Sequence, residues 1–270
     1  MGVLNVTPDS FYDGGRHDTY ERAVARGIEM MAEGVDVIDV GGESSRPGAA
    51  PVPLEVELAR VVPVVEALAA EVGRAAPGVR LSVDTVKPDV ARAALGAGAT
   101  LLNDISASLW EEAAAAGAGW IALHMQGSPR TMQAHPHYDD VVGEVQRFLL
   151  ERARTALEAG VREVWLDPGV GFGKTVAHNL SLLRHVSSLV QLAAEVGCAG
   201  VLVGTSRKRF LGVLAAGGGP IDDREASPTE DREEGSLATA AAAMVAGAGM
   251  LRVHDVSATV QVARLYGPAL

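Results

Sequence analysis

The chain has one cysteine, Cys198, among its 270 residues, so no disulfide can form within it. Cys198 adjoins a predicted strand and has no paired base, which makes it a small buried hydrophobe rather than a nucleophile. Aromatic residues are only 4% of the chain, so the core must be built from Val, Leu, Ile and Ala. No apolar run approaches the roughly 18 residues of a membrane span. The segment from Met1 to Asn5 has no basic stretch leading into an apolar one, so it does not read as a signal peptide, and Val6 stands where a myristoylation motif needs Ser or Thr. A cytoplasmic chain with no membrane partner is expected. Positive charge is also short, with 23 basic against 34 acidic residues and a net charge of −11. That balance argues against a nucleic-acid partner, whose phosphates need Lys and Arg, but leaves room for a local pocket that takes a small anion. Lysine is the scarcest of the charged residues. The three are Lys87, Lys174 and Lys208, and the last two fall in loops that carry other polar residues.

What is present is 48% apolar residues and a repeating pattern. Short, nearly continuous apolar runs are predicted as strands at Val3–Val6, Val35–Val40, Leu81–Asp84, Leu101–Ile105, Trp120–Met125, Val164–Asp167, Val201–Gly204 and Met250–His254. Continuous rather than alternating runs fit parallel strands covered on both faces. Between them lie helical patterns at Tyr20–Ala32, Leu54–Val72, Asp89–Leu95, Leu109–Ala116, Asp139–Ala159, Asn179–Val196 and Ser236–Ala246. Asp18 reads as an N-cap for the first. Gly34, Gly73, Gly98, Gly119, Gly160, Gly197 and Gly249 read as helix exits. Eight such units favour one (β/α)8 barrel over an open doubly wound sheet, so residues 1–270 form a single expected domain. Residues 217–235, rich in Gly, Asp, Glu and Arg, stand apart as an expected poorly ordered loop.

In such a barrel the chemistry sits at the C-terminal strand ends. Here those ends carry Asn5, Asp39, Asp84, Asn103, Asp104, His124, Gln126, Asp167, Ser206 to Lys208, Arg252, His254 and Asp255. Helix capping or loop bracing accounts for Asp104, and can account for Asp39, but not for polar groups at every strand end. The loops at 7–16 and 41–48 are long enough to serve as lids. The run Asp167–Thr175 is neither a phosphate-binding P-loop, because Pro168 stands where that motif needs Gly, nor a dinucleotide fingerprint, because position 174 is Lys. It offers a carboxylate and Phe172, whose ring can stack on a flat heterocycle. Ser206–Arg209 opens a helix and favours an anion. Arg252 and His254 alternate on the last strand and face one side, as a second anion site. Three sub-sites follow. Asp84, Asn103 and Asp167 can bind the donor edge of a polar ring. Asn5, Arg46, Arg252 and His254 can hold a phosphate or diphosphate. Ser206 and Lys208 can hold a carboxylate.

The motifs Asn5–Phe11, Gly41–Gly48, Ser82–Thr85, Asn103–Ile105, His124–Gly127, Asp167–Thr175, Ser206–Lys208 and Arg252–Asp255 together resemble the dihydropteroate synthases, pterin-binding barrels of the folate pathway, and the resemblance runs from the first residues to the last strand. It implies an alkyl/aryl-transferring enzyme that joins 6-hydroxymethyl-7,8-dihydropterin diphosphate to 4-aminobenzoate. By motif match, Asp84, Asn103, Met125, Asp167, Phe172 and Lys208 would hold the pterin. Asn5, Ser45, Arg46, Arg252 and His254 would take the diphosphate, and Asn5 would ligate a Mg²⁺ cofactor. Phe11, Pro47 and Ser206 would border the aminobenzoate. Asp13, Arg46 and Lys208 would act in catalysis, with Asp13 facing the pterin cation left when diphosphate departs. The resemblance also implies a homodimer. Three features depart from the family pattern. Tyr12 replaces a small residue, and Ser45 a Thr. The sequence begins inside the first strand, where family members usually have a preceding segment that plugs the barrel bottom, so a shortened start or another floor is expected. Three alternatives stay open: a pterin-dependent methyltransferase, a paralogue that binds pterin without turnover, and an aldolase-like barrel with Lys208 as a Schiff-base lysine.

Overall fold

The computed structural model describes residues 1–7, 16–46, 48–219 and 226–266, the side chains of 16–18 and 230 excepted. Eight parallel strands run in sequence order: β1 Gly2–Asn5, β2 Val37–Gly41, β3 Arg80–Asp84, β4 Leu101–Asp104, β5 Gly119–Leu123, β6 Val164–Asp167, β7 Gly200–Val203 and β8 Met250–Leu251. The last predicted strand is much shorter than its apolar run suggested. The ring nonetheless closes, through a parallel bridge between Gly2 and Val253 and through bonds from Val3 N–H to Val253 O and from Val253 N–H to Met1 O, both 2.9 Å. This is the (β/α)8 barrel that the strand pattern implies.

Ten helices among the described residues wrap it: α1 Arg16–Ala32, α2 Leu54–Ala75, α3 Pro88–Gly96, α4 Trp110–Ala116, α5 Val141–Glu158, α6 Val176–Arg184, α7 Val186–Glu195, α8 Arg209–Ala215, α9 Glu233–Val245 and α10 Val256–Tyr266. Their apolar stripes explain why they form. In α2, Val61, Val64, Val65 and Leu68 recur at helical spacing and are fully buried. Truncating such a leucine to alanine costs about 2–5 kcal/mol.

Several boundaries differ from the sequence reading. α1 starts at Arg16, so Asp18 lies inside it rather than capping it. The predicted helix over 179–196 is two helices that meet at His185, and the first begins earlier because Thr175 and His178 form a capping box. Gly73 lies within α2, and the left-handed exits before β5 and β8 are Gly117 and Gly247 rather than Gly119 and Gly249. Of residues 217–235, positions 220–225 lie outside the described residues. From 226 onward the segment is ordered: Thr229–Arg232 form a 3-10 turn, and Arg232 donates to Ser227 O and to Arg207 O.

The interior of the barrel is layered by the two-residue period of its strands. Met1, Val37, Leu101, Ile121 and Leu202 form a dry lower layer, with Trp165 and Met250 packed against it. Below it, Arg80 forms a forked ion pair with Glu163 at 2.7 and 2.8 Å, and Trp165 Nε1 donates to Glu163 at 2.8 Å. Apolar side chains and this pair thus fill the bottom of the barrel. Two residues further along their strands, the same interior face carries Asp39, Asn103, Asp167 and, just past β8, Arg252. The site is the next layer of the core.

Candidate active site

Arg252 organises that layer. Its Nε donates to Asp39 Oδ2 and its Nη2 to Asp84 Oδ2, both at 2.7 Å. Asp39 is fully buried and also accepts from Asn103 Nδ2 at 2.8 Å. With the amide nitrogen spent on Asp39, Asn103 turns its oxygen the other way, as the hydrogen-bond network assigns it. Burial pushes Asp84 up to about 7, against the pull of Arg252. Asp167 is also raised by burial, while Lys208 opposes the shift, and one of its oxygens accepts from Gly169 N–H at 2.7 Å. Opposite lies Lys208, whose Nζ donates to Val170 O and sits 4.6 Å over the Phe172 ring. Burial lowers Lys208 to about 8, with Asp167 resisting.

Asp84, Asn103, Asp167, Phe172, Lys208 and Arg252 line one pocket, bounded further by Ser45, Ile105, Leu123, Ser206 and His254. One wall is apolar, with Ile105, Leu123, Met132 and Phe172 packed together and Met125 against them. Met125 is half-buried and belongs to this wall. At the other end, His254 is lowered to about 4, first by burial and then by Arg252 and Arg207, with Arg46 close enough to contribute. It is neutral near pH 7 and offers an N–H, not a charge. Ser206 Oγ accepts from His254 N–H at 3.2 Å and lies 3.1 Å from His254 Nδ1; with Oγ–H donating to Nδ1, the neutral ring carries its proton on Nε2. Arg46 is exposed at the pocket's rim, and its backbone N–H is 3.4 Å from Ser44 Oγ. Asn5 Oδ1 stands 3.8 Å from where a Cβ on Gly41 would lie, with Asp84 Cβ 3.5 Å from the same point.

The loop after β6 is held by unusual backbone. Gly169, Gly171 and Gly173 have φ of 64°, 86° and 63°. A Cβ on Gly169 would lie 1.8 Å from His124 O, so only glycine fits. Lys174 pins the loop from beneath. It is 3% exposed, and its Nζ lies 3.0 Å from His124 Nδ1, 3.0 Å from Phe172 O and 3.2 Å from His124 O. Burial lowers it to about 7.

The structure thus gathers Ser45, Asp84, Asn103, Asp167, Phe172, Ser206, Lys208, Arg252 and His254 around one pocket, with Arg46 and Asn5 nearby. Phe11, Asp13 and Pro47 lie outside the described residues. Arg207 does not join the pocket. It has a left-handed φ of 59°, and its guanidinium is spent on Asp255, so the basic helix start is less of an anion cradle than its sequence suggests. Asp104 is a brace, accepting from the N–H groups of Ser106, Ser108 and Leu109 and from Trp120 Nε1. Sequence reasoning undervalued Asp39. Its only signal was a carboxylate inside a strand run.

A family model described as "pterin binding enzyme" matches residues 1–254. The chain is 44% identical to the dihydropteroate synthase of Escherichia coli strain K12, over 98% of its own length and 89% of the relative's. A solved structure of Xanthomonas albilineans dihydropteroate synthase with 4-aminobenzoic acid superposes with a TM-score of 0.85 at 46% identity, covering 98% of this chain and 90% of that one. Another from that organism, in complex with 7,8-dihydropteroate, gives a TM-score of 0.81 at 44% identity, with the same coverage. By barrel, pocket and relatives, the chain belongs to the dihydropteroate synthases of the pterin-binding family.

Proposed function

We propose that this pocket joins 6-hydroxymethyl-7,8-dihydropterin diphosphate to 4-aminobenzoate, giving 7,8-dihydropteroate and diphosphate for folate synthesis. The observation that carries the reading is the row of acceptors in one layer. Asp84, the Asn103 oxygen and the free oxygen of Asp167 can receive the ring N–H and amino donors of a pterin, while Phe172 offers its face. Burial raises both Asp84 and Asp167, and the Arg252 charge opposes that rise at Asp84 as the Lys208 charge does at Asp167.

Ser45, Arg46 and the His254 N–H would hold the diphosphate, with Arg252 beneath them. The bond between the methylene carbon and the diphosphate oxygen breaks with its electron pair going to diphosphate, and the Arg46 cation favours the charge that builds there. The neutral amine of aminobenzoate then bonds to that carbon, and its proton passes to solvent. Lys208 would orient the pterin between Phe172 and Asp167, and Asp13 would face the cationic ring. Phe11, Pro47 and Ser206 would border the aminobenzoate.

A Mg²⁺ ion fits this arrangement in one way. Among the described residues no group of three or more His, Cys, Asp or Glu side chains could hold a metal. Asn5 would therefore give one neutral oxygen, with the remainder from diphosphate and water, a donor set that suits magnesium. When bound, the ion would offset charge on the leaving diphosphate. A homodimer is supported by apolar side chains left outside on the paired α9 and α10: Val245, Leu265 and Tyr266 are 72%, 80% and 55% exposed. No described helix is long and apolar enough to cross a membrane, and charged substrates that do not cross one unaided support a cytoplasmic site of action.

Purified chain given the pterin diphosphate, 4-aminobenzoate and Mg²⁺ is expected to form dihydropteroate and diphosphate in equal amounts. Folded chain that forms none would overturn the reading. Asp84→Ala is expected to weaken pterin binding about 100-fold, since it strands a donor pair on the ligand and frees one arm of Arg252. Unchanged binding by calorimetry would place the pterin elsewhere.

A further inference from the structure

Two of the three lysines serve the pocket or its β6 loop. The third, Lys87, is 23% exposed and stands just before α3, and its Nζ donates to both Glu43 and Glu57. These two carboxylates come from different places. Glu57 lies in the first turn of α2 and is fully buried. Glu43 lies in the loop after β2, two residues before Ser45 and three before Arg46. Burial works against the Lys87 charge, but the bonds from Glu43 and Glu57 outweigh it and hold the amine above the usual lysine range.

The trio has further attachments. The second oxygen of Glu57 accepts from Thr85 Oγ1 at 2.6 Å, and Thr85 Oγ1 in turn accepts from Lys87 N–H at 3.1 Å. Thr85 directly follows Asp84. Arg60, one turn along α2, donates to Gly42 O at 2.9 Å. Gly42 lies so close to α2 that a Cβ there would meet Val61 Cγ2 at 2.7 Å and Glu57 Cγ at 3.0 Å. The root of the β2 loop is therefore fastened to α2 and to the end of β3 by charge and close packing together. None of these atoms lines the pocket.

We propose that Lys87, bridging Glu57 to Glu43, is a positioning residue that fixes the β2 loop so that Ser45 and Arg46 stand over the diphosphate end of the pocket. The inference rests on the reading that this end binds diphosphate. Lys87 touches no reacting atom. Its effect passes through Glu43 to the loop, and through Glu57 and Thr85 it shares an anchor with Asp84. The loop that meets the diphosphate and the strand end that meets the pterin are thereby held in one frame. The arrangement separates two effects: releasing Glu43 frees the loop, whereas the Glu57–Lys87 pair still supports the fold.

The test uses the full chain with Glu43→Gln, Lys87→Met and Lys87→Arg. Glu43 is at the surface end of the trio, so Glu43→Gln is expected to fold normally even if Lys87→Met, which strands the buried Glu57, does not. For Glu43→Gln, amides 42–46 should exchange with deuterium at least tenfold faster in the ligand-free chain. kcat/KM for the pterin diphosphate should fall at least tenfold, and binding of a pterin without diphosphate should stay within twofold. Lys87→Arg should restore at least half of the activity lost in Lys87→Met. Exchange and kcat/KM both within twofold of the parent in Glu43→Gln would overturn the proposal, as would an equal loss of binding for pterin with and without diphosphate. Faster exchange in a chain whose parent makes no dihydropteroate would leave the clamp standing and sink the diphosphate reading instead.

Discussion

Replacing Arg252 with methionine is expected to destabilise the fold by about 3–5 kcal/mol at pH 8, and by much less at pH 5. The guanidinium holds Asp39 and Asp84 by direct bonds, and its charge also reaches Asp167. Without it, three buried carboxyl groups lie close together, and Lys208 still offsets the charge of Asp167. The folded-state pKa values of Asp84 and Asp167, already raised by burial, rise further above the unfolded value of about 3.9. The folded chain then holds protons that the unfolded chain has released, so stability falls as pH rises from about 4 through the raised values. Asp84 already follows this direction in the parent chain, where burial pushes it up to about 7. His254, lowered to about 4, stays neutral at both pH values and does not confuse the comparison. Urea unfolding of parent and variant at the two pH values measures the effect. A loss of the same size at pH 5 and pH 8 would mean that Arg252 acts by packing and not by neutralising the carboxylates.

The second large effect is expected at Gly169. Gly169→Ala should lower stability by roughly 3 kcal/mol or more and reduce kcat/KM at least 100-fold, because it combines strained backbone with a steric clash. The φ of 64° disfavours any side chain, and the added carbon would lie 1.8 Å from a backbone oxygen, His124 O, which cannot swing aside. The loop must move as a whole. That shift removes the Gly169 N–H from Asp167 and disturbs Phe172, so binding fails with the fold. Gly171→Ala is the informative contrast. Its new carbon would meet Lys208 Cδ at 2.9 Å, a flexible side chain, so the expected stability loss is about 1–2 kcal/mol from backbone strain alone. Thermal unfolding and steady-state kinetics on both variants decide it. Gly169→Ala with the parent's melting temperature and full activity would show that the loop is free to adapt.

The barrel was readable from sequence because its signal is periodic and repeated. Eight apolar runs, with polar residues in or close to their C-terminal ends, constrain one another more than any single run does. Asp84, Asn103 and Asp167 were readable for the same reason, standing at strand ends where an apolar residue is the norm. Asp39 was not. A carboxylate at that place reads as a possible cap until its partner is seen, and Arg252 lies 213 residues away. Glu57 is harder still, since an acidic residue in the first turn of a helix needs no special reason. His254 was expected to share an anion site with Arg252, and burial next to that cation keeps it neutral, so it can serve there only as a hydrogen-bond donor. The division of one predicted helix into α6 and α7, and the ordered turn at Thr229–Arg232, depend on local bonds that hydrophobic spacing does not encode.

The eighth strand contributes only two residues to the sheet, and it closes the ring between segments about as far apart as the chain allows, as in the bond from the Met1 amine to Leu251 O across 250 positions. Loop-closure entropy is greatest for such a contact, so this seam is expected to form late in folding. Arg252 arrives with it. Until then Asp39 and Asp84 have no guanidinium between them, and a chain with seven strands in place has a barrel wall but no pterin pocket. A pterin ligand can therefore recognise only the closed state. It should slow unfolding in proportion to its affinity and leave the folding rate unchanged.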